Sequence, residues 1–269
     1  MNPDLPITEL ADGVLRLTLN RPHRLNALTM EIYGHIRDAV NAASVDDNVD
    51  VIVIKGNGRA FSSGFDLKAQ VSDQTMETKL TNQHMIANGA RWAIWNCRKP
   101  VVAAVHGYCL AGALELVLPT DFTISTESCV FGVPEVLFGG GPAFNMFPWM
   151  MGHKKAKEII LMGEQFSAQR ACEFGLVNKV VADDELEETT NKYVERLKKL
   201  PRGAVWINKQ GLNRAYEATG MVPYINNWPD MLTVLGQIPD ATRDGFKEKV
   251  QQEGVSAGIK FRDGLFENR

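Results

Sequence analysis

Two short runs of apolar residues, 51–54 and 100–105, constrain the fold of this 269-residue chain more than any other feature. Each run is long enough for one strand and carries no polar residue, which is typical of parallel strands covered on both faces. Helical patterns precede the two runs, at about 29–43 and 81–97. This alternation of strands and helices predicts an α/β fold in which helices connect parallel strands.

The rest of the chain divides into an α/β part and a helical part. Further short strands are expected at residues 13–19, 122–125 and 129–131. Segment 68–80 is polar and irregular, so we expect a surface loop there. The pattern becomes helical after about residue 153. We therefore predict an α/β core over residues 1–200 and a helical region over residues 201–269.

Composition and charge narrow the range of functions. Hydrophobic residues make up 45% of the chain and charged residues 23%, which is ordinary for a globular protein. A net charge of −3 gives no general reason to expect nucleic acid or an anionic membrane as a partner. No run approaches the roughly 20 apolar residues of a membrane span. The four cysteines form no C-x-x-C pair and have no histidine at metal-ligand spacing. We expect a cytoplasmic protein without a metal site.

Segment 104–115, AVHGYCLAGALE, is a candidate for chemistry. A strand enters a turn of small residues, and a helix begins near Gly112. Backbone amides at a helix start lack intrahelical partners, and a glycine there lets a ligand approach the backbone. Glu115 lies three residues further on, in an otherwise apolar helix, which makes it a candidate acid–base group. The alternative is a first-turn glutamate that only complements the helix dipole.

Two other segments are ambiguous when taken alone. Residues 61–67, FSSGFDL, are compatible with a plain turn in which Asp66 caps a helix. Glu135 follows Pro134 at the end of a short apolar strand, which is also compatible with an ordinary helix start.

Together, these segments resemble the crotonase (enoyl-CoA hydratase/isomerase) superfamily. The matching segments run in order along nearly the whole chain, at residues 20–22, 25–28, 61–67, 99–101, 104–115, 131–135 and 175–177. The resemblance implies a spiral core of repeated ββα units with a C-terminal helical trimerisation region. It also implies an acyl-CoA thioester as substrate, with coenzyme A as part of that substrate and no separate cofactor. The expected assembly is a homotrimer or homohexamer.

The resemblance also assigns roles to site residues. The backbone amides of Phe65 and Gly112 would form an oxyanion hole for the thioester carbonyl, in which one donor is typically worth about 10²–10³ in rate. Glu115 and Glu135 would hold and activate water and deliver the proton to the α-carbon. We expect Glu115 to deprotonate the water and Glu135 to be the proton donor.

Further residues are expected to bind coenzyme A or the acyl group. By resemblance these are Arg24, Leu25, Ala27, Ser62, Ser63, Gly64, Asp66, Leu67, Ala111, Pro134, Gly141 and Lys260. Arg24 could meet a phosphate of coenzyme A. Lys260 would contribute from a neighbouring subunit, although a solvated surface charge is the plainer interpretation for either residue.

Three departures from the family pattern leave the exact reaction open. Alanines 111 and 113 flank Gly112 where the family has glycines, the oxyanion residue is the bulky Phe65, and the glycine-rich loop 138–149 is shorter than in standard hydratases. Both glutamates favour an enoyl-CoA hydratase. The alternatives are enoyl-CoA isomerisation, CoA-thioester hydrolysis and retro-Claisen cleavage. A non-enzymatic binding relative would instead show a basic surface or a ruined site.

Overall fold

A six-stranded sheet forms the centre of the protein, which we describe from a computed structural model over residues 2–70 and 74–266. The strands are β1 (Ile7–Ala11), β2 (Val14–Leu19), β3 (Val51–Gly56), β4 (Val101–Val105), β5 (Tyr108–Leu110), β6 (Phe122–Thr126), β7 (Val130–Gly132), β8 (Gln165–Ser167) and β9 (Lys179–Val181). The main sheet has the order β1-β2-β3-β4-β6-β9, and β5, β7 and β8 form a smaller sheet.

The main sheet is parallel except at one edge. β1 pairs antiparallel with β2, whereas the pairs β2–β3, β3–β4, β4–β6 and β6–β9 are parallel. β3 and β4 lie in the middle of the sheet, and alternate residues of β3 belong to different cores. Ile52 belongs to the larger core and Val53 to a smaller core on the other face of the sheet. Both faces are therefore covered, which explains why residues 51–54 of β3 are all apolar.

Helices cover the sheet and dominate the second half of the chain. They are α1 (Met30–Val45), α2 (Leu67–Gln70), α3 (Met76–Thr81), α4 (Asn88–Asn96), α5 (Gly112–Val117), α6 (Phe147–Met151), α7 (His153–Met162), α8 (Ala168–Glu173), α9 (Leu186–Lys198), α10 (Arg202–Glu217), α11 (Met221–Leu235), α12 (Ala241–Glu253) and α13 (Val255–Gly264). The segments Pro22–Arg24, Pro134–Phe138 and Asp183–Glu185 are 3-10 helices, and Asn82–Ala87 is a π-helical turn before α4. In the described part of the chain, no helix is long and apolar enough to cross a membrane.

Most sequence expectations about these elements are confirmed, and two are wrong. The strands expected at 51–54 and 100–105 are β3 and β4. Segment 68–80 is not simply a loop, because it contains most of α2 and α3; its residues 71–73 lie outside the described part of the chain. The region after residue 153 is not purely helical, because it contains β8 and β9. These two strands have three residues each, which is too short for a reliable period-two pattern.

A buried lysine anchors the C-terminal helices to the sheet. Lys209 of α10 is 7% exposed, and its ammonium contacts the carboxylate of Asp121 at 2.7 Å. The same ammonium donates to the carbonyl oxygens of Ile94 and Lys99. Asp121 also accepts the Val101 amide at the start of β4. This ion pair therefore joins α10 to the central sheet, while the expected domain boundary near residue 200 stays a prediction.

We expect Lys209→Met to lower the free energy of unfolding by about 2 kcal/mol, because it leaves the partly buried Asp121 carboxylate without its cation. Urea unfolding followed by circular dichroism measures the change. Lys199→Met, at an exposed lysine near the end of α9, is the matched control and should stay within about 0.5 kcal/mol of wild type. A loss in Lys209→Met no larger than in the control would show that this ion pair does not anchor α10.

Candidate active site

Two chain segments that carry the predicted oxyanion amides pack directly against each other. Gly64 has a φ of +92°, and a Cβ atom placed there would lie 2.6 Å from the Leu110 carbonyl oxygen and 3.2 Å from the Gly112 nitrogen. The approach therefore requires glycine at position 64. The Gly64 carbonyl accepts the Leu28 amide at 2.8 Å, which fixes the turn before Phe65.

The amides of Phe65 and Gly112 have no hydrogen-bond acceptor among the described residues. Gly112 is the first residue of α5, so its amide has no partner within that helix. A Cβ atom on Gly112 would lie 2.6 Å from the Phe65 ring and 2.8 Å from the Tyr33 hydroxyl. The two predicted donors therefore lie close together, and the side chains of Phe65 and Tyr33 pack against Gly112.

Glu115 lies on α5 and is 1% exposed. Its Oε2 atom accepts the backbone amide of Phe144 at 2.6 Å and lies 3.1 Å from Nη2 of Arg91. A buried carboxylate needs such partners, because an unpaired charge in the interior is strongly disfavoured. The apolar helix 112–117 therefore carries a carboxylate whose charge is matched inside the protein.

Arg91, on α4, is fully buried beside Glu115. Its Nη1 donates to the Asn88 side chain at 2.8 Å, and its Nη2 donates to the Tyr33 hydroxyl at 3.0 Å. Tyr33 in turn donates to the Gly112 carbonyl oxygen at 3.0 Å. The guanidinium carbon lies 5.0 Å from the centre of the Tyr33 ring, with the rings of Phe65 and Phe144 within 6 Å. One buried cation therefore connects Glu115 to the segment of Gly112.

Glu135 lies in the 3-10 helix Pro134–Phe138 and has a different environment from Glu115. Both of its carboxyl oxygens are enclosed, and no donor among the described residues reaches them. Burial raises the pKa of Glu135 well above its ordinary value of 4.5, and the negative charge of Glu115 raises this pKa further. The raised pKa favours the protonated form of Glu135.

Helix α11 holds the loop that departs from the family pattern. Trp228 donates its indole N–H to the Pro142 carbonyl at 2.8 Å, and the Asn145 side chain donates to the Tyr224 hydroxyl at 2.9 Å. Phe144, between these two anchor points, is fully buried and supplies the amide that Glu115 accepts. The loop that distinguishes this chain in sequence is therefore also the loop that positions Glu115.

Two predicted binding residues have partners within the protein. Ser62 is buried, and its hydroxyl donates to the Asn26 carbonyl at 2.8 Å and accepts the Gly64 amide at 3.1 Å. Asp66 caps α2 and forms an ion pair with Arg21. Both side chains stabilise the turn around Phe65, and a direct contact with substrate stays a prediction.

The other predicted binding residues differ in exposure and in their distance along the chain from the site segments. Arg24 and Lys260 are exposed, and Gly141 packs beside Trp228 and Leu232 of α11. The residues within or next to the segments of the two amides and Glu135 are Leu25, Ala27, Ser63, Gly64, Leu67, Ala111 and Pro134. Their roles in binding coenzyme A or an acyl group stay predictions.

Sequence reasoning missed Arg91 and Tyr33. Arg91 lies four residues after Ala87 and three residues before Ile94, and both of these residues are buried. A charged residue on the apolar face of a helix is the signal that could have identified Arg91. Tyr33 lies on the buried face of α1 and carried no comparable signal, because a tyrosine in that position is an ordinary core residue.

The fold and the site define the class of this protein. It is an α/β protein with two adjacent backbone donors and a buried pair of carboxyl groups, one matched by a cation and the other with a raised pKa. Such a pair is typical of acid–base chemistry, since the two environments separate the protonation states. Among the described residues, no group of three side chains could hold a metal ion.

Comparison with known proteins identifies the family. The family described as enoyl-CoA hydratase/isomerase matches residues 9–253. A probable mitochondrial enoyl-CoA hydratase of Dictyostelium discoideum is 35% identical over 216 residues, which cover 79% of this chain and 76% of the relative. A crotonyl-CoA hydratase of Syntrophomonas wolfei is 30% identical, with 97% of this chain and 96% of the relative covered. The crystal structure of an enoyl-CoA hydratase/isomerase from Xanthobacter autotrophicus Py2 is 39% identical, has a TM-score of 0.88 and matches over 97% of each chain.

This chain therefore belongs to the enoyl-CoA hydratase/isomerase family and has the crotonase fold. The family resemblance and the fold class expected from the sequence are confirmed. The roles of the individual residues rest on the geometry described above.

We expect Glu135→Gln to change how stability depends on pH. The folded state raises the pKa of Glu135, so it holds a proton that the unfolded chain releases above pH 4.5, and wild type loses stability as the pH rises through this window. The glutamine variant lacks this loss. Its melting temperature relative to wild type should therefore increase from about pH 5 to about pH 8. Glu164→Gln, at an exposed position, should run parallel to wild type. A parallel curve for Glu135→Gln as well would contradict the protonated state of Glu135.

Proposed function

We propose that this protein is an enoyl-CoA hydratase that adds water across the α,β double bond of an acyl-CoA thioester. The observation that carries the proposal is the buried pair Glu115 and Glu135, in which one carboxylate is matched by a cation and the pKa of the other is raised by burial. Hydration needs both states at once, because a base must activate water while an acid supplies a proton. The amides of Phe65 and Gly112 add donors for the negative charge that develops on the thioester oxygen.

In the proposed reaction, every proton that leaves one group is taken up by another. Glu115 orients a water molecule and takes one of its protons as the oxygen attacks the β-carbon. The thioester carbonyl accepts the developing charge and is stabilised by the two amides. Glu135 then donates its proton to the α-carbon, which gives a 3-hydroxyacyl-CoA. A proton then returns from Glu115 to Glu135 and restores the starting state.

The relatives support hydration over the other reactions of the family. The proteins from Dictyostelium discoideum and Syntrophomonas wolfei are both named as hydratases, and the second name specifies crotonyl-CoA. An isomerase needs only one base to move a proton along the acyl chain, so the second buried glutamate favours a hydratase. We also propose that Arg24 and Lys260 contact phosphates of coenzyme A, since both are exposed cations, and that the protein assembles as a trimer or hexamer.

We expect Glu115→Gln and Glu135→Gln each to lower kcat by about 10²-fold or more, because each removes a group that moves a proton in the reaction. The assay follows loss of the conjugated thioester absorbance with crotonyl-CoA and with branched, cyclic and aromatic enoyl-CoAs. Glu164→Gln serves as the control and should leave kcat unchanged.

Two results would overturn the hydratase proposal. The first is no hydration of any enoyl-CoA in the panel by the folded wild type. The second is conversion of a β,γ-enoyl-CoA to its α,β isomer with full activity in one of the two glutamine variants, which would identify an isomerase that uses a single base.

A further inference from the structure

Arg91 is a fully buried cation. Its side chain has no exposed surface, and aromatic rings of Tyr33, Phe65 and Phe144 surround the guanidinium. A buried guanidinium costs several kcal/mol of desolvation, so a negative partner is needed to offset it. Glu115 is the carboxylate that it contacts, at 3.1 Å. The two charges thus depend on each other for their place in the interior.

The contacts also orient the Glu115 carboxylate. Arg91 and the Phe144 amide both contact the Oε2 atom, from α4 and from the loop 138–149. Two donors on one oxygen fix the rotation of the carboxylate and leave Oε1 for a reacting group. The guanidinium is itself fixed, because Asn88 accepts a hydrogen bond from its Nη1 atom and Tyr33 accepts one from its Nη2 atom. Orientation of this kind lowers the cost of reaching the reactive geometry.

Several titratable groups lie near Glu115 in the described structure. They include Arg91 from α4, Tyr33 from α1 and Glu135 from the 3-10 helix Pro134–Phe138. Burial raises the pKa of the Tyr33 phenol far above its ordinary value, so Tyr33 is neutral. The Phe144 segment contributes a backbone amide without charge. Arg91 is therefore the cation that balances the charge of the Glu115 carboxylate.

We infer that Arg91 is a positioning residue that fixes the Glu115 carboxylate and balances its negative charge in the interior. The inference rests on the proposed function for its effect on catalysis. Its effect on the charge of Glu115 is independent of which reaction the site performs. Arg91 lies outside the segments on which the family resemblance is based.

The first test is the pH profile of kcat/KM for Arg91→Met and Arg91→Lys. Loss of an opposite charge at this distance should shift the acid limb of the profile upward by about one pH unit or more in Arg91→Met. Arg91→Lys keeps the charge and should hold the limb near its wild-type position, although kcat falls because lysine lacks the planar fork. Ile94→Val, a small change at a buried residue of the same helix, should leave the limb unmoved. An unshifted limb in Arg91→Met would overturn the inference.

The second test uses stability and does not depend on activity. Arg91→Met should lower the melting temperature by about 5 °C or more at neutral pH. The loss should shrink at low pH, where Glu115 can take up a proton, and it should largely disappear in the double variant Arg91→Met/Glu115→Gln. A loss that is equal at all pH values, or that remains in the double variant, would show that Arg91 acts by packing alone.

The two tests distinguish a failure of this inference from a failure of the proposed function. If no enoyl-CoA is hydrated, the hydratase proposal fails while the stability test still decides the charge pairing. If Arg91→Met does not fold, the double variant with Glu115→Gln should recover folding, because a buried pair replaced on both sides is tolerated far better than one left half-paired. A double variant that also fails to fold would overturn the inference.

Discussion

The ion pair between Arg91 and Glu115 is the interaction on which the site depends. It places a carboxylate in the middle of an apolar helix without leaving a charge unmatched. Through Tyr33 the same cation reaches the carbonyl of Gly112, and through Oε2 of Glu115 it meets the amide of Phe144. Elements from four parts of the chain are therefore joined around two opposite charges, and a change in one part affects the others.

The contrast between the two glutamates follows from this pairing. Glu115 has a cation and an amide donor, whereas the carboxyl oxygens of Glu135 meet no donor in the described structure. Identical side chains thus meet different surroundings, which is a general way for a protein to separate the pKa values of an acid and a base. Burial and the charge of Glu115 raise the pKa of Glu135.

Sequence alone predicted the parts of the structure with strong local or family signals. The apolar runs 51–54 and 100–105 identified the central strands β3 and β4, and the family resemblance pointed to Glu115 and Glu135. The three-residue strands β8 and β9 gave no period to detect, and β1 is exposed along its length, so it lacks an apolar face. Arg91 was missed because a charged residue in a helix is ordinarily solvated, and only tertiary packing shows that Glu115 faces it.

The most direct test of the two-carboxyl hydratase account is isotope labelling of the product. The protein would be incubated with crotonyl-CoA in water enriched in ¹⁸O and in deuterium oxide, and the product analysed by mass spectrometry. The account predicts ¹⁸O on the β-carbon and one deuterium on the α-carbon, with the thioester intact. Label in a free carboxylate, or deuterium along the acyl chain without ¹⁸O, would contradict it.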